Sequence, residues 1–215
     1  MLKADLHIHT CYSRDCCTPL DQIVAHCLEI GINCLAVADH NTIAGALKLQ
    51  EIAPFQVIVA EEIATPVGEI MGMFLTEEIP KGVTPEEAIA RIKSQGGLVC
   101  IPHPFGRYFL QNSSRLTSPE ILSQVDIIEA FNARTPFSSS CARARRLAEQ
   151  RGKPASAGSD AHTVGEIGQA YVEMPEFNGP DDFLHCLSQG RIFGQRSSPL
   201  VHFNSTWAKI KKRLV

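Results

Sequence analysis

Five of the eight histidines fall in short motifs that pair imidazole with imidazole or with carboxylate. They are His7 and His9 in DLHIHT, His40 in VADH, His103 in IPHP and His162 in GSDAH. Residues two apart on a strand face the same side, so His7 converges with His9, and Asp160 with His162. Asp15 in YSRD and the pair Glu61-Glu62 in VAEEI add carboxylates. Each motif alone fits ordinary packing; an HxH can be two satisfied core histidines. Together they do not, because buried charges without partners cost several kcal/mol each and so many would need cations to offset them. Imidazole mixed with carboxylate suits Zn²⁺, Mn²⁺ or Fe²⁺ rather than a thiolate-rich site.

These residues fall at the ends of apolar runs that read as strands. Short apolar segments alternate with amphipathic ones, which argues for an α/β protein with a largely parallel, buried sheet. Expected strands are KADLHIH, NCLAVADH, FQVIVAEEI, GEIMGMFL, LVCIPH, VDIIEAFN and PASAGSDAH, followed by QAYVEM and RIFG. The first helix is expected to have Thr18 as N-cap, Pro19 at its first position and Gly31 as its stop. A second runs from about Thr42 to Glu51. Thr84, Pro85 and Glu87 form a capping pattern, and Ser118-Pro119 begins a short helix. Further helices are expected near 138–151 and 180–189. In parallel α/β sheets the C-terminal strand ends share one rim, where sites are built. That rim would collect His7, His9, Asp15, His40, Glu62, His103, Asp160 and His162.

No internal repeat or linker-like segment divides the chain, so one domain is expected over 1–215, with a core of about 2–191 and a C-terminal strand and helix over about 191–215. The tail TWAKIKKRLV reads as a terminal helix docked by Trp207, Ile210 and Leu214. Of the 215 residues 44% are hydrophobic and 20% charged, an ordinary globular balance, and the net charge of −3 offers no general attraction for nucleic acid or anionic membrane. No basic stripe interleaved with aromatics is present, which argues against a long nucleic-acid partner. No run approaches the roughly 18 apolar residues of a membrane span, and the N-terminus does not read as a signal peptide. The eight cysteines are expected to be reduced; several lie in apolar elements and no pair of CxxC motifs suggests a zinc knuckle. The expected compartment is the cytoplasm.

DLHIHT, ADH, EEI followed by GEI, PHPF and GSDAH resemble, in this order, the successive motifs of the PHP family, the polymerase and histidinol phosphatase domain. The resemblance runs from Leu2 to about Arg191. It implies a distorted seven-stranded (β/α)7 TIM-like barrel with two or three divalent metal ions (Mn, Zn or Fe) at the C-terminal rim. His7, His9, Glu62 and Asp160 would hold the first ion. Glu62 would bridge to a second, shared with His103 and one further ligand, and Asp15, His40 and His162 would hold a third. Glu62 is preferred over Glu61 because AEEI aligns with the family's G-x-E-I; Glu61 is then a neighbour on the opposite side of the strand, expected to be exposed. Glu69 stands where many relatives carry His and is the candidate further ligand. Asp15 stands where relatives carry His or Asp, and a harder ligand favours Mn²⁺, Fe²⁺ or Mg²⁺ over Zn²⁺.

The implied activity is hydrolysis of a phosphate ester, in a phosphorylated small metabolite or a nucleotide, by metal-activated hydroxide, with Glu62, His103 and Asp160 at the catalytic centre. Arg107 and Arg134 follow strands five and six and could bind the phosphate, which matches the guanidinium fork. Glu129 and Asn132 could hydrogen-bond the ligating imidazoles. Cys11, Cys16 and Cys17 flank Asp15 and are expected to stay off the metal. His26, His185 and His202 are expected to be ordinary structural or surface residues. Two rivals remain: an amidohydrolase-like metal hydrolase, which also opens with HxH, and a catalytically silent metal-binding module serving a partner. The short chain and the lack of a lysine at a strand end weigh against the first, and the complete ligand set weighs against the second.

Overall fold

The computed structural model describes residues 1–106, 113–198 and 201–214, with backbone alone at 113–114, 201–205 and 213–214. Among the described residues nine strands form one sheet: β1 (Leu2–Ile8), β2 (Cys34–His40), β3 (Gln56–Thr65), β4 (Gly68–Met73), β5 (Leu98–Ile101), β6 (Ile127–Asn132), β7 (Ala155–Gly158), β8 (Ala170–Met174) and β9 (Arg191–Gly194). Their order is β7-β6-β5-β4-β3-β2-β1-β8-β9. The pairs β1–β2, β2–β3, β5–β6 and β6–β7 are parallel, whereas β4 runs antiparallel to both its neighbours. An antiparallel β8–β9 pair extends the sheet beyond β1.

A parallel bridge between Ile8 and Ala161 brings the far end of the sheet back to β1, so the sheet curls into a nearly closed barrel. The Asp160 amide donates to the His7 carbonyl at 2.7 Å and the His9 amide to Ala161 at 2.9 Å. Gly158 allows this approach, because a Cβ there would lie 2.3 Å from that of His7. The barrel-like α/β architecture agrees with expectation; the nine-stranded ladder differs from the expected seven-stranded repeat. The turn between β3 and β4 is too short for the dozen or so residues that a parallel crossover needs, so these strands form a hairpin.

Among the described residues eight α-helices accompany the strands: α1 (Leu20–Ile30), α2 (Ala44–Ile52), α3 (Pro85–Ser94), α4 (Ser113–Leu116), α5 (Pro119–Leu122), α6 (Ser138–Arg151), α7 (Pro180–Ser188) and α8 (Val201–Leu214). Thr84 caps α3 as its sequence predicts, accepting from the Glu87 amide at 3.2 Å, a contact worth about 1 kcal/mol. Thr18 does not cap α1; Pro19 holds that place, and the Thr18 hydroxyl donates to the His162 carbonyl at 3.2 Å. Alternate residues of the strands feed two apolar layers. Ile8, Leu35, Val37, Val59 and Ile63 pack outward with Ile23, Leu49 and Ile92 of the helices. Leu6, Ala36, Ala38, Ile58 and Ala60 pack on the other face with Met71 and Phe183. Burial on both faces explains why these strands read as nearly continuous apolar runs.

The expected docking face of the terminal helix is corrected. Trp207 is 68% and Ile210 46% exposed, whereas Ala208 is buried at 7%; the Leu214 side chain lies outside the described residues. Lys212 Nζ donates to the carbonyls of Cys11 at 2.5 Å and Ser13 at 2.6 Å, so polar contacts set this helix's rotation. Among the described residues no helix is long and apolar enough to cross a membrane.

Candidate metal centre

An irregularity in β1 aims the first two histidines. Asp5 pairs with Leu35 but Ile8 with Val37, so β1 has one residue more than β2 across this stretch. Such a bulge reverses the alternation of side chains. Leu6 thus lies on the inner face and Ile8 on the outer, leaving His7 and His9 together facing the centre. A similar shift between Glu129 and Phe131 of β6 brings Glu129 and Asn132 to one side, although they are three residues apart. Asn132 Nδ2 donates to Glu129 Oε2 at 3.1 Å and to Asp160 Oδ2 at 3.3 Å.

His40 ends β2, and His103 and Asp160 lie just beyond β5 and β7. Asn41 (φ 57°), His103 (φ 27°) and Asp160 (φ 55°) occupy the left-handed region, uncommon for residues with side chains and concentrated at functional sites. Asn41 is fixed there by its amide on the Glu62 carbonyl at 3.1 Å and its side-chain oxygen on the Ala64 amide at 2.9 Å.

Glu62 stands among four imidazoles. Its Oε1 lies 2.8 Å from His103 Nε2, and its Oε2 lies 3.1 Å from His40 Nδ1, 3.5 Å from His9 Nε2 and 3.6 Å from His7 Nε2. It is not a strand-end residue as expected, because β3 runs on to Thr65 and pairs with β4. That overhanging hairpin supplies Glu69, 3.7 Å from His40 Nδ1 and 3.9 Å from His103 Nε2. Asp160 Oδ1 approaches His9 Nε2 at 3.2 Å and His7 Nε2 at 3.9 Å. On the opposite side of His40, Asp15 lies 3.3 Å from His40 Nε2 and 3.5 Å from His162 Nε2. All nine expected metal-site residues are therefore in one cluster.

Hydrogen bonds decide which ring nitrogens face the centre. Glu129 Oε1 is 3.0 Å from His7 Nδ1, and the Asp160 carbonyl is 2.8 Å from His162 Nδ1. Both partners accept, so each Nδ1 carries the proton. Ser13 Oγ accepts the His40 amide at 3.1 Å and lies 3.4 Å from His9 Nδ1. Cys16 Sγ donates to the carbonyls of His9 at 3.4 Å and His162 at 3.2 Å. Buried His7 Nε2, His9 Nε2 and Asp15 Oδ1 have no hydrogen-bond partner. Each such group costs about 1–3 kcal/mol unless something satisfies it. Cations between these donors would satisfy all three, so the residues fit divalent ions.

Charge is distributed accordingly. Burial would raise the Glu62 carboxyl, but His40 and His7 outweigh it and hold it well below the usual range. Burial, with His162 nearby, lowers His9 to about 3, leaving a neutral imidazole with a lone pair to give. Burial and then the Glu62 charge raise Glu69. Glu61 is on the outer face and, contrary to expectation, is fully buried: Oε2 accepts the Ile79 amide at 2.9 Å. Burial pushes its carboxyl up to about 7.

The cluster opens into a cavity of about 360 Å³. Arg134 lines it but is itself buried, its Nη1 3.1 Å from Glu166 Oε1. Glu166 Oε2 also accepts the His162 amide at 3.2 Å and the Thr163 hydroxyl at 2.8 Å. Arg107 lies outside the described residues. Sequence reasoning missed Glu166, Arg14 and Lys209. Lys209 is 3.2 Å from Asp15 Oδ2, and no local pattern marks a helix residue so distant in the chain.

Comparison with known proteins agrees with this architecture. The uncharacterized protein MJ0417 of Methanocaldococcus jannaschii is 37% identical over 196 residues, covering 86% of this chain and 79% of that protein. A two-domain protein of Bacteroides vulgatus, described as containing a predicted PHP-like metal-dependent phosphoesterase, superposes with a TM-score of 0.70 at 16% identity. That match covers 90% of this chain, which spans only 65% of the Bacteroides protein. An amidohydrolase from Chromobacterium violaceum with bound sulfate gives a TM-score of 0.64 at 14% identity, covering 94% and 96% of the two chains. At these identities the two structures show a shared fold. The PHP domain model matches residues 5–94, which carry six of the nine clustered side chains, and the PHP-associated model matches 138–192, which carry two more: the chain belongs to the PHP domain family.

Proposed function

We propose that this protein is a metal-dependent phosphoesterase acting on a phosphorylated small metabolite or nucleotide, working in the cytoplasm as one unit over 1–215. The observation that carries the reading is Glu62, a carboxylate within 3.6 Å of four imidazoles, beside two buried Nε2 atoms without partners. His7, His9, Glu62 and Asp160 would hold one ion, Glu62, Glu69 and His103 a second, and Asp15, His40 and His162 a third, with Mn, Zn or Fe as the candidates. Bound there, such ions would polarise the phosphate oxygens and lower the pKa of a water.

The chain's own residues supply the positioning. Glu129 fixes the His7 tautomer through Nδ1 and presents Nε2 inward. The left-handed backbone at His103 and Asp160 turns both side chains into the cavity mouth, where their geometry is set before substrate arrives. Glu166 holds the Arg134 guanidinium at the cavity wall, a fixed positive charge for phosphate oxygens. A cavity of about 360 Å³ is at the small end of the ligand-site range, in keeping with a compact ester. Hydrolysis there joins the water oxygen to phosphorus and releases the alcohol.

The test is turnover of a panel of phosphate monoesters and diesters by protein loaded separately with Mn²⁺, Zn²⁺ or Fe²⁺. At least one ester should be hydrolysed, with activity lost on chelation. Hydrolysis of amides or lactones in place of phosphate esters would favour the amidohydrolase reading. Tight metal binding with no turnover of any class would favour the silent module.

A further inference from the structure

α8 lies outside both stretches matched by the family models, 5–94 and 138–192, yet it delivers a side chain to the cavity. Lys209 Nζ stands 3.2 Å from Asp15 Oδ2 and lines the same cavity as His40, Glu62 and Arg134. The helix is held in that pose. Three residues on, along the same face, Lys212 grips the Cys11 and Ser13 carbonyls of the loop that carries Asp15, and Ala208 is buried against the protein.

The cavity wall bears four carboxylates, Asp15, Glu62, Glu69 and Asp160, against three cations, Arg14, Arg134 and Lys209. Arg134 is already committed to Glu166 in a buried pair. Among the described residues Lys209 pairs only with Asp15, the carboxylate that the phosphoesterase reading gives to a metal ion. A divalent ion taking Asp15 would repel an ammonium at this distance. The Lys209 side chain is 40% exposed and sits on a flexible four-carbon stem, so it can turn away from Asp15 toward the cavity. A phosphate arriving there would replace the lost partner with another anion.

We propose that Lys209 is a substrate-binding residue that holds a non-bridging oxygen of the phosphate group in the metal-loaded protein. This rests on the phosphoesterase reading. Lys209 passes from Asp15 to the phosphate once metal and substrate are bound. The C-terminal helix is therefore part of the binding site and adds an anion contact from outside the matched segments.

The experiment uses the full chain loaded with Mn²⁺ and inorganic phosphate as the probe, followed by calorimetric titration. Lys209→Met should weaken phosphate binding at least about tenfold with bound Mn²⁺ unchanged, and should raise KM for a hydrolysed ester more than it lowers kcat. Lys209→Arg should restore most of the affinity, and Lys211→Gln, an exposed neighbour on the same helix, should match wild type. Unchanged phosphate affinity in Lys209→Met would overturn this proposal alone. Loss of Mn²⁺ from that variant would overturn it too, because Lys209 would then serve the metal site. Wild-type protein that neither binds phosphate nor hydrolyses any phosphate ester would overturn both this proposal and the reading beneath it.

Discussion

Glu129 joins two histidines of the centre through one carboxylate: Oε1 accepts a hydrogen bond from Nδ1 of the His7 ring at 3.0 Å, and Oε2 accepts the backbone amide of His103 at 2.6 Å. One residue thereby sets a ring tautomer on β1 and a loop position after β5. Glu129→Gln keeps the shape but replaces one acceptor by a donor, so the His7 tautomer is no longer dictated. Divalent metal affinity should fall by about 10–100-fold. Competition against a chromophoric chelator measures it, and an unchanged affinity would remove Glu129 from the centre's support.

The Arg134–Glu166 pair gives a stability prediction. Both side chains are about 5% exposed. Removing the Glu166 carboxylate takes an ion-pair partner from a buried charge, a change that costs up to about 3–5 kcal/mol. Glu166→Gln should therefore unfold at clearly lower denaturant concentration, and it should also loosen the His162 amide and Thr163 hydroxyl that Glu166 now receives. Denaturation of metal-free protein is the measurement; a change below about 1 kcal/mol would show that the pair carries little.

Glu61 predicts a pH dependence. Burial raises its carboxyl from 4.5 to about 7 in the folded protein. Between these values the unfolded chain has lost the proton while the folded chain keeps it. This contribution to stability is therefore fully present below about 4.5 and is lost as pH rises toward 7. The shift sets a ceiling of about 3 kcal/mol, and partial hydration of the carboxylate reduces the expected loss to ~2 kcal/mol. Glu61→Gln cannot titrate, so its stability relative to wild type should rise by that amount between pH 5 and pH 8. Parallel pH profiles for the two proteins would refute the account.

Much of the centre was legible because short spacings on strands fix facing: His7 with His9 and Glu62 opposed to Glu61 follow from alternation alone. Local signals also held where the chemistry is local, as in the Thr84 cap and the bounds of α6. The bulge that lets Leu6 and His7 share a face has no residue-type signature, and it emerges only when β1 pairs with β2. The overrun of β3 past Glu62 depends on pairing with β4. The apolar face of the terminal helix does not choose its contact, since Trp207 and Ile210 stay exposed. Instead Lys209 and Lys212 find partners near residues 11–15, a pairing across almost the whole chain.

The most direct test of the central claim compares Glu62→Gln with Glu61→Gln for bound metal and for phosphatase activity. Glu62 faces four imidazoles and Glu61 faces the Ile79 amide on the other side of the same strand. Glu62→Gln removes the charge that would hold two cations together, so metal content should drop and activity should fall by orders of magnitude. Glu61→Gln should keep its metal and most of its activity. An active, metal-replete Glu62→Gln protein beside an inactive, metal-poor Glu61→Gln protein would contradict the account.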